Sequence, residues 1–195
     1  MAIFFTADTH FGLKDTKGVL QRDFRPFKTL TEMNETIINL WNTQVSDDDV
    51  IYHLGDFVNF NYTDIDSYQE CFKLVQKIKA KVILILGNNE KRLLDERFGG
   101  DFEKFKSYLL ECGFFDVYKH DVSLSLRGVE IYLTHKPIDH KEGVVNLFGH
   151  IHGGCFIKKY GFNVGIDCHY LGLFSEDEIF NLIENRKLFD ENMFD

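Results

Sequence analysis

Three short apolar runs in the first half of the chain each stop abruptly at a polar residue pair. Residues 2–7 end at Asp8, residues 50–54 end at Gly55-Asp56, and residues 82–86 end at Gly87-Asn88. Dominantly apolar runs of this length read as strands buried on both faces. Between them the spacing turns helical. Met33, Ile37, Ile38, Leu40, Trp41 and Val45 share one face of a helix predicted over residues 31–45, with Thr31 as N-cap and Glu32 and Glu35 favourable in the first turn. Tyr68, Cys71, Phe72, Val75 and Ile78 mark a second helix over residues 66–79. Strands alternating with helices predict a largely parallel sheet. Sites in such sheets collect beyond the carboxyl ends of the strands.

The second half changes period. Residues 117–126 and 129–133 alternate and predict a hairpin turning at Arg127-Gly128. Residues 144–148 form another apolar run that ends at Gly149-His150, and residues 156–160 and 162–166 predict a second hairpin around Tyr160-Gly161. Two helices, over 90–96 and 101–112, lie between the halves, and Ser175 caps a last helix running to about Asn185. No linker-like stretch interrupts the chain, so residues 1–195 are expected to form one domain in which two sheets pack together.

Composition narrows the partners. With 20 Phe and only 2 Pro the chain is built to bury a core rather than to stay disordered. The net charge of -9 gains nothing from the phosphate field of a long nucleic acid, though a small phosphorylated ligand is compatible with it. The basic residues are scattered, as in Arg22 and Arg25, Lys91 and Arg92, and Lys158 and Lys159. Cys71, Cys112, Cys155 and Cys168 have no paired spacing and read as reduced thiols. The first residues show no basic leader or signal-length apolar segment, and no run approaches a membrane span, so a cytoplasmic protein is expected.

The polar endings carry the chemistry. In order they are Asp8-Thr9-His10, Gly55-Asp56, Gly87-Asn88-Asn89-Glu90, Thr134-His135 and Gly149-His150-Ile151-His152-Gly153. Each alone has an ordinary reading: Gly-Asp and Gly-Asn are turn signals, and His135 before Lys136-Pro137 could simply end a strand. Together they supply two cation sites. Asp8, His10, Asp56 and His152 make one; Asp56, Asn88, His135 and His150 make the other, with Asp56 bridging. Gly149 and Gly153 permit the irregular turn that the two late histidines require. Two cations roughly 3.5–4 Å apart can generate hydroxide at neutral pH and stabilise a phosphoryl transition state. Carboxylate, imidazole and amide ligands without thiolate suit manganese, iron or zinc, and affinity order alone does not choose among them.

This order of motifs resembles the calcineurin-like metallophosphoesterase superfamily over nearly the whole chain. Tyr52-His53-Leu54-Gly55-Asp56-Phe57, Arg25-Pro26-Phe27 and Asn163-Val164-Gly165-Ile166-Asp167 are similar to its small bacterial and phage members. The resemblance implies an α/β fold, a four-layer αββα sandwich of two mixed sheets flanked by helices, with a dinuclear centre at a sheet edge. It also implies the two ligand sets above. It implies a phosphoesterase, foremost a phosphodiesterase, that attacks a small or nucleotide-like phosphate ester in line with a metal-bridging hydroxide.

The chain departs from the pattern in one linked place. The family's protein phosphatases carry a proton-donating His where Asn89 stands, oriented by an Asp where Asn59 stands; the Arg that usually follows is Phe60. An amide cannot donate a proton at neutral pH. Asn89 is therefore expected to hydrogen-bond substrate, beside Asp56 as the catalytic carboxylate, with Arg25 and Arg92 as phosphate clamps. His53, His140, His169 and Lys136 are the candidate replacement acids. A nuclease of the same superfamily and a catalytically weak metal-binding scaffold are the alternatives; the acidic charge opposes the first and the filled ligand positions oppose the second.

Overall fold

The computed structural model describes residues 1–12, 25–59 and 64–189; Arg22 and Phe60 lie outside them. In chain order the strands are β1 (Ile3–Thr6), β2 (Val50–His53), β3 (Lys81–Ile85), β4 (Asp116–Tyr118), β5 (Val122–Leu126), β6 (Val129–Leu133), β7 (Val145–Phe148), β8 (Ile157–Lys158), β9 (Gly161–Asn163) and β10 (Phe174–Ser175). The helices are α1 (Leu30–Gln44), α2 (Ile65–Phe72), α3 (Asn88–Phe98), α4 (Phe102–Cys112) and α5 (Glu176–Phe189).

The strands form two five-stranded mixed sheets. The first runs β10-β1-β2-β3-β4, with β1 to β4 parallel and β10 antiparallel at the edge. The second runs β5-β6-β7-β9-β8, with parallel pairing only at β6–β7 and β7–β9.

Alternation along β1 to β3 sends side chains into two separate cores. Phe4, Ile51, Val82 and Leu84 face α1 to α4, where they meet Met33, Trp41, Phe72, Leu93 and Phe105. Phe5, Leu54 and Ile85 face the second sheet, where they meet Ile131, Leu133, Leu147 and Phe162. Burial on both faces is why these runs carry no polar alternation. Helix α5 closes the inter-sheet core with Ile179, Phe180 and Ile183. Ser123, Ser125 and Glu130 on β5 and β6 are exposed, so those strands show the polar alternation of a half-solvated sheet. Among the described residues no helix is long and apolar enough to cross a membrane.

Three elements differ from the sequence expectation. Helix α1 begins at Leu30 because the Thr29 hydroxyl, not Thr31, accepts the Glu32 N–H at 3.1 Å. The helix expected over 66–79 ends at Phe72 and tightens into a 3₁₀ turn at Lys73–Lys77. Asn42 brackets that turn's exit, donating to the Lys77 carbonyl at 2.7 Å and accepting from the Lys79 N–H at 2.9 Å. The run 117–126 splits, with Asp116–Tyr118 joining the first sheet and Val122–Leu126 opening the second.

His53 belongs to the core. It is fully buried at the end of β2, with Nε2 2.9 Å from the Thr9 hydroxyl and its ring edge-on to Phe57. Burial holds its pKa down to about 3, so the folded protein keeps it neutral while the unfolded chain protonates below about 6.5. Stability from this group is thus full at pH 7 and falls as pH drops toward 4. The slope is up to ~1.4 kcal/mol per pH unit. His53→Gln is expected to shallow that slope by about one proton in urea unfolding at pH 5 against pH 7 with chelator present. An unchanged slope would contradict the assignment.

Candidate metal centre

The ligand residues leave the sheets in an unusual backbone conformation. Among the described residues eight non-glycine residues have positive φ, and five of them are Asp8 (60°), His10 (51°), Asp56 (55°), His150 (71°) and His152 (48°). Such residues are uncommon outside turns and cost free energy unless their surroundings hold them there. Here the loops after β1 and β2 brace each other: the Asp8 N–H donates to the Gly55 carbonyl, His10 to Asp56 and Phe11 to Phe57. The Gly149–Gly153 turn after β7 sends its two histidines to different clusters.

Asp8, His10 and His152 place ligand atoms within 4.8 Å of one another, and Asp56, His135 and His150 do the same. Asp56 divides its carboxylate between the groups. Its Oδ2 is 3.7 Å from His10 Nε2 and its Oδ1 is 3.6 Å from His135 Nε2. Asn88 Oδ1 lies 2.8 Å from His135 Nε2. The structure therefore brings together all the residues expected to hold cations.

The donor set fits divalent cations. Among the described residues Asp8 Oδ1 and His10 Nε2 are buried without a hydrogen-bond partner. His135 Nδ1 sits 2.7 Å from the Leu54 carbonyl and must donate to it, so its Nε2 turns a lone pair toward the Asn88 oxygen. Two converging acceptors need a cation or a proton between them. Burial holds the His135 pKa down to about 3, which disfavours the proton. Burial also raises Asp8 to about 8 and Asp56 to about 6, and keeps His10 well below its usual range. Carboxylates stripped of water in this way recover their charge beside positive charge or converging donors, and Asp8 Oδ1 has no donor among the described residues. His152 moves the other way, raised by its hydrogen bond to Asp167.

Glu90 holds the geometry from behind. Its carboxylate is fully buried and accepts the backbone N–H groups of Asp56 (2.8 Å), Phe57 (2.9 Å), Gly87 (3.0 Å) and Val58 (3.4 Å). Burial and the Asp56 carboxylate push its pKa up to about 7, and the backbone donors pull it down. With donors on both oxygens, only the ionised form avoids a donor facing a donor. The two loops it ties touch closely: a Cβ on Gly87 would lie 2.4 Å from Asp56 Oδ1. The motif Gly87-Asn88-Asn89-Glu90 does not by itself assign Glu90 this role; its signal is an acid at the third position of α3, where a side chain can reach back to N-terminal N–H groups.

The substrate residues need correction. Asn89 donates through Nδ2 to the Val58 carbonyl at 2.9 Å, contacts His10 Nδ1 at 3.3 Å, and accepts from Asn88 Nδ2 at 3.2 Å. Its amide is turned into the protein and committed there. Asn59 is buried and donates to the His10 carbonyl at 2.7 Å. Arg25 is no phosphate clamp either: it is 6% exposed, and its guanidinium N–H groups go to Asp167, Thr9, Asp8 and Met33. Arg92 lies one turn along α3 from Asn88, mostly exposed and paired to Glu96 at 2.8 Å. Of the replacement acids, His53 is in the core, His140 stacks on Tyr160, and His169 pairs with Glu178. Lys136 is near enough to His135 and His150 to lower both pKa values.

The model of the calcineurin-like phosphoesterase family matches residues 1–188. The uncharacterized protein MJ1445 of Methanocaldococcus jannaschii is 30% identical over 89 residues, which is 46% of this chain and 47% of that protein. The chain thus spans about half the length of the curated relative it matches. A protein of unknown function from Aquifex aeolicus, AQ665, has a similar fold, with a TM-score of 0.63 at 23% identity over 93% of this chain and 98% of that one. An archaeal phosphodiesterase aligns over 85% of this chain and 82% of its own, with a TM-score of 0.46 and 18% identity.

Glu90→Gln replaces an acceptor by an NH₂ group facing backbone donors. Each buried donor left unsatisfied costs about 1–3 kcal/mol. The variant is expected to lose at least about 2 kcal/mol of unfolding free energy in urea, with weakened Mn²⁺ binding. Wild-type stability would contradict the assigned role.

Proposed function

The chain belongs to the calcineurin-like phosphoesterase family, and we propose that it is a cytoplasmic, metal-dependent phosphodiesterase acting on a small or nucleotide-like phosphate ester. The observation that carries this reading is the divided Asp56 carboxylate, one oxygen toward each histidine cluster. Two divalent cations, with manganese the foremost candidate and iron, zinc or nickel next, would supply an activated water and positive charge for the phosphoryl oxygens.

The protein's own groups set the preference. Asp8, His10 and His152 would hold one cation; His135, His150 and Asn88 the other; Asp56 both. Asn89 positions Asp56 through its backbone N–H, 2.9 Å from Oδ1, and has no proton to give. With no acid in the expected place, the leaving group departs as its anion. Missing general-acid catalysis typically lowers rates by about 10²–10⁴, least for leaving groups of low pKa. Arg25 points away from substrate, which leaves less positive charge for a doubly charged monoester and favours a singly charged diester. The net charge of -9 disfavours long nucleic acids as substrates.

A second reading is a metal-binding scaffold, favoured by the inward-turned Asn89. Turnover separates the two. Purified protein with Mn²⁺ is expected to hydrolyse bis(p-nitrophenyl) phosphate, to stop with chelator, and to lose at least about 10²-fold in kcat/KM on His150→Ala, a ligand loss. Metal binding without turnover would favour the scaffold. Across aryl phosphodiesters the rate should fall steeply as leaving-group pKa rises; a flat dependence would mean that an acid is present after all.

A further inference from the structure

His152 has a built support that the other late histidine lacks. Asp167 Oδ2 lies 3.5 Å from His152 Nδ1. That carboxylate is gripped from behind by Arg25, Nε to Oδ1 at 2.7 Å and Nη2 to Oδ2 at 2.9 Å. The same guanidinium donates to the Asp8 carbonyl at 2.7 Å and the Thr9 carbonyl at 2.8 Å. Asn163 Nδ2 donates to the His152 carbonyl at 2.7 Å and Asn163 Oδ1 accepts the Gly165 N–H at 2.9 Å. The approach is close: a Cβ on Gly165 would crowd both Asp8 Oδ2 and Asn163 Oδ1 at 3.0 Å. The stretch Asn163–Asp167, which in sequence resembles small bacterial and phage family members, is thus a cradle for His152 and a neighbour of Asp8. Among the described residues no side chain is seen to hydrogen-bond the His150 ring, which meets the His135 ring edge-on at 5.1 Å.

We propose that Arg25 and Asp167 are positioning residues that make the Asp8–His10–His152 site the tighter of the two cation sites. Asp167 fixes the His152 ring through Nδ1 and leaves Nε2 for the cation. Arg25 locks Asp167 and, through two carbonyls, the left-handed backbone that presents Asp8. A carboxylate behind a ligating histidine orients the ring and raises its basicity, and removing such a group costs about 10–100-fold in metal affinity. The second site relies on a backbone carbonyl behind His135 and on a less supported His150, so it should fill later and empty first.

This inference rests on the two-cation reading, and Mn²⁺ titration of the metal-free full chain by calorimetry separates the two. Wild type is expected to show two unequal binding steps. Asp167→Asn, which keeps the shape and removes the charge, should weaken the tighter step about 10–100-fold and leave the weaker step within about threefold. Arg25→Lys, which keeps the buried positive charge and loses the two-point grip, should do the same. His150→Ala should remove the weaker step alone. Equal weakening of both steps, or of neither, in either folded variant overturns the proposal. If both variants unfold the metal-free protein, the pair serves the fold alone and the proposal falls. If wild type takes up no Mn²⁺, the metal-centre reading fails first and takes this one with it.

Discussion

Four backbone N–H groups from two loops converge on one buried carboxylate, that of Glu90. Burying a charge is costly unless donors replace its lost water. The donors available are those of loops that have just left β2 and β3, and have no strand partners at those positions. Each side meets the other's need. The outcome is that Asp56 is held at a φ of 55° with one oxygen toward each cluster. Gly87 is needed because any side chain there would collide with the Asp56 carboxylate. An acid at position 90 and a glycine at position 87 are thus two parts of one constraint.

The same logic extends to the first ligand loop. A backbone at positive φ falls out of the sheet's ladder, and its buried carbonyls still need donors. Side chains supply them: Arg25 serves the Asp8 and Thr9 carbonyls, and Asn59 serves that of His10. Asn89 adds donors to Asp56 and to the Val58 carbonyl. The residues that replace a proton-donating pair have become braces. The centre is rigid in its cation ligands and poor in proton donors. That pairing of properties is the ground for proposing diesters with good leaving groups as substrates.

Much of this was legible in the sequence, and the parts that were not have identifiable reasons. Apolar runs ending at Asp8, Asp56 and Asn88 announced the buried parallel strands and the polar residues gathered at their ends, because burial on two faces leaves no polar alternation to blur the signal. The split of residues 117–126 was not legible: alternation has the same period whichever sheet a strand joins, and only long-range pairing decides. The choice of Thr29 over Thr31 as cap depends on a single local hydrogen bond. Arg25 read as a phosphate clamp because charge suggests exposure; its partner Asp167 lies far along the chain, and spacing cannot reveal such a pair. Asn89 was rightly seen as unable to donate a proton, but its inward turn depends on the Val58 carbonyl, which no motif encodes.

In the proposed centre one carboxylate, that of Asp56, divides two cation sites built on left-handed loops. The most direct measurement is anomalous scattering from a crystal soaked in Mn²⁺ with a phosphate analogue. The expected result is two peaks roughly 3.5–4 Å apart, one against Asp8, His10 and His152, the other against Asn88, His135 and His150, with Asp56 touching both. A single peak, or two peaks that Asp56 does not join, would contradict it.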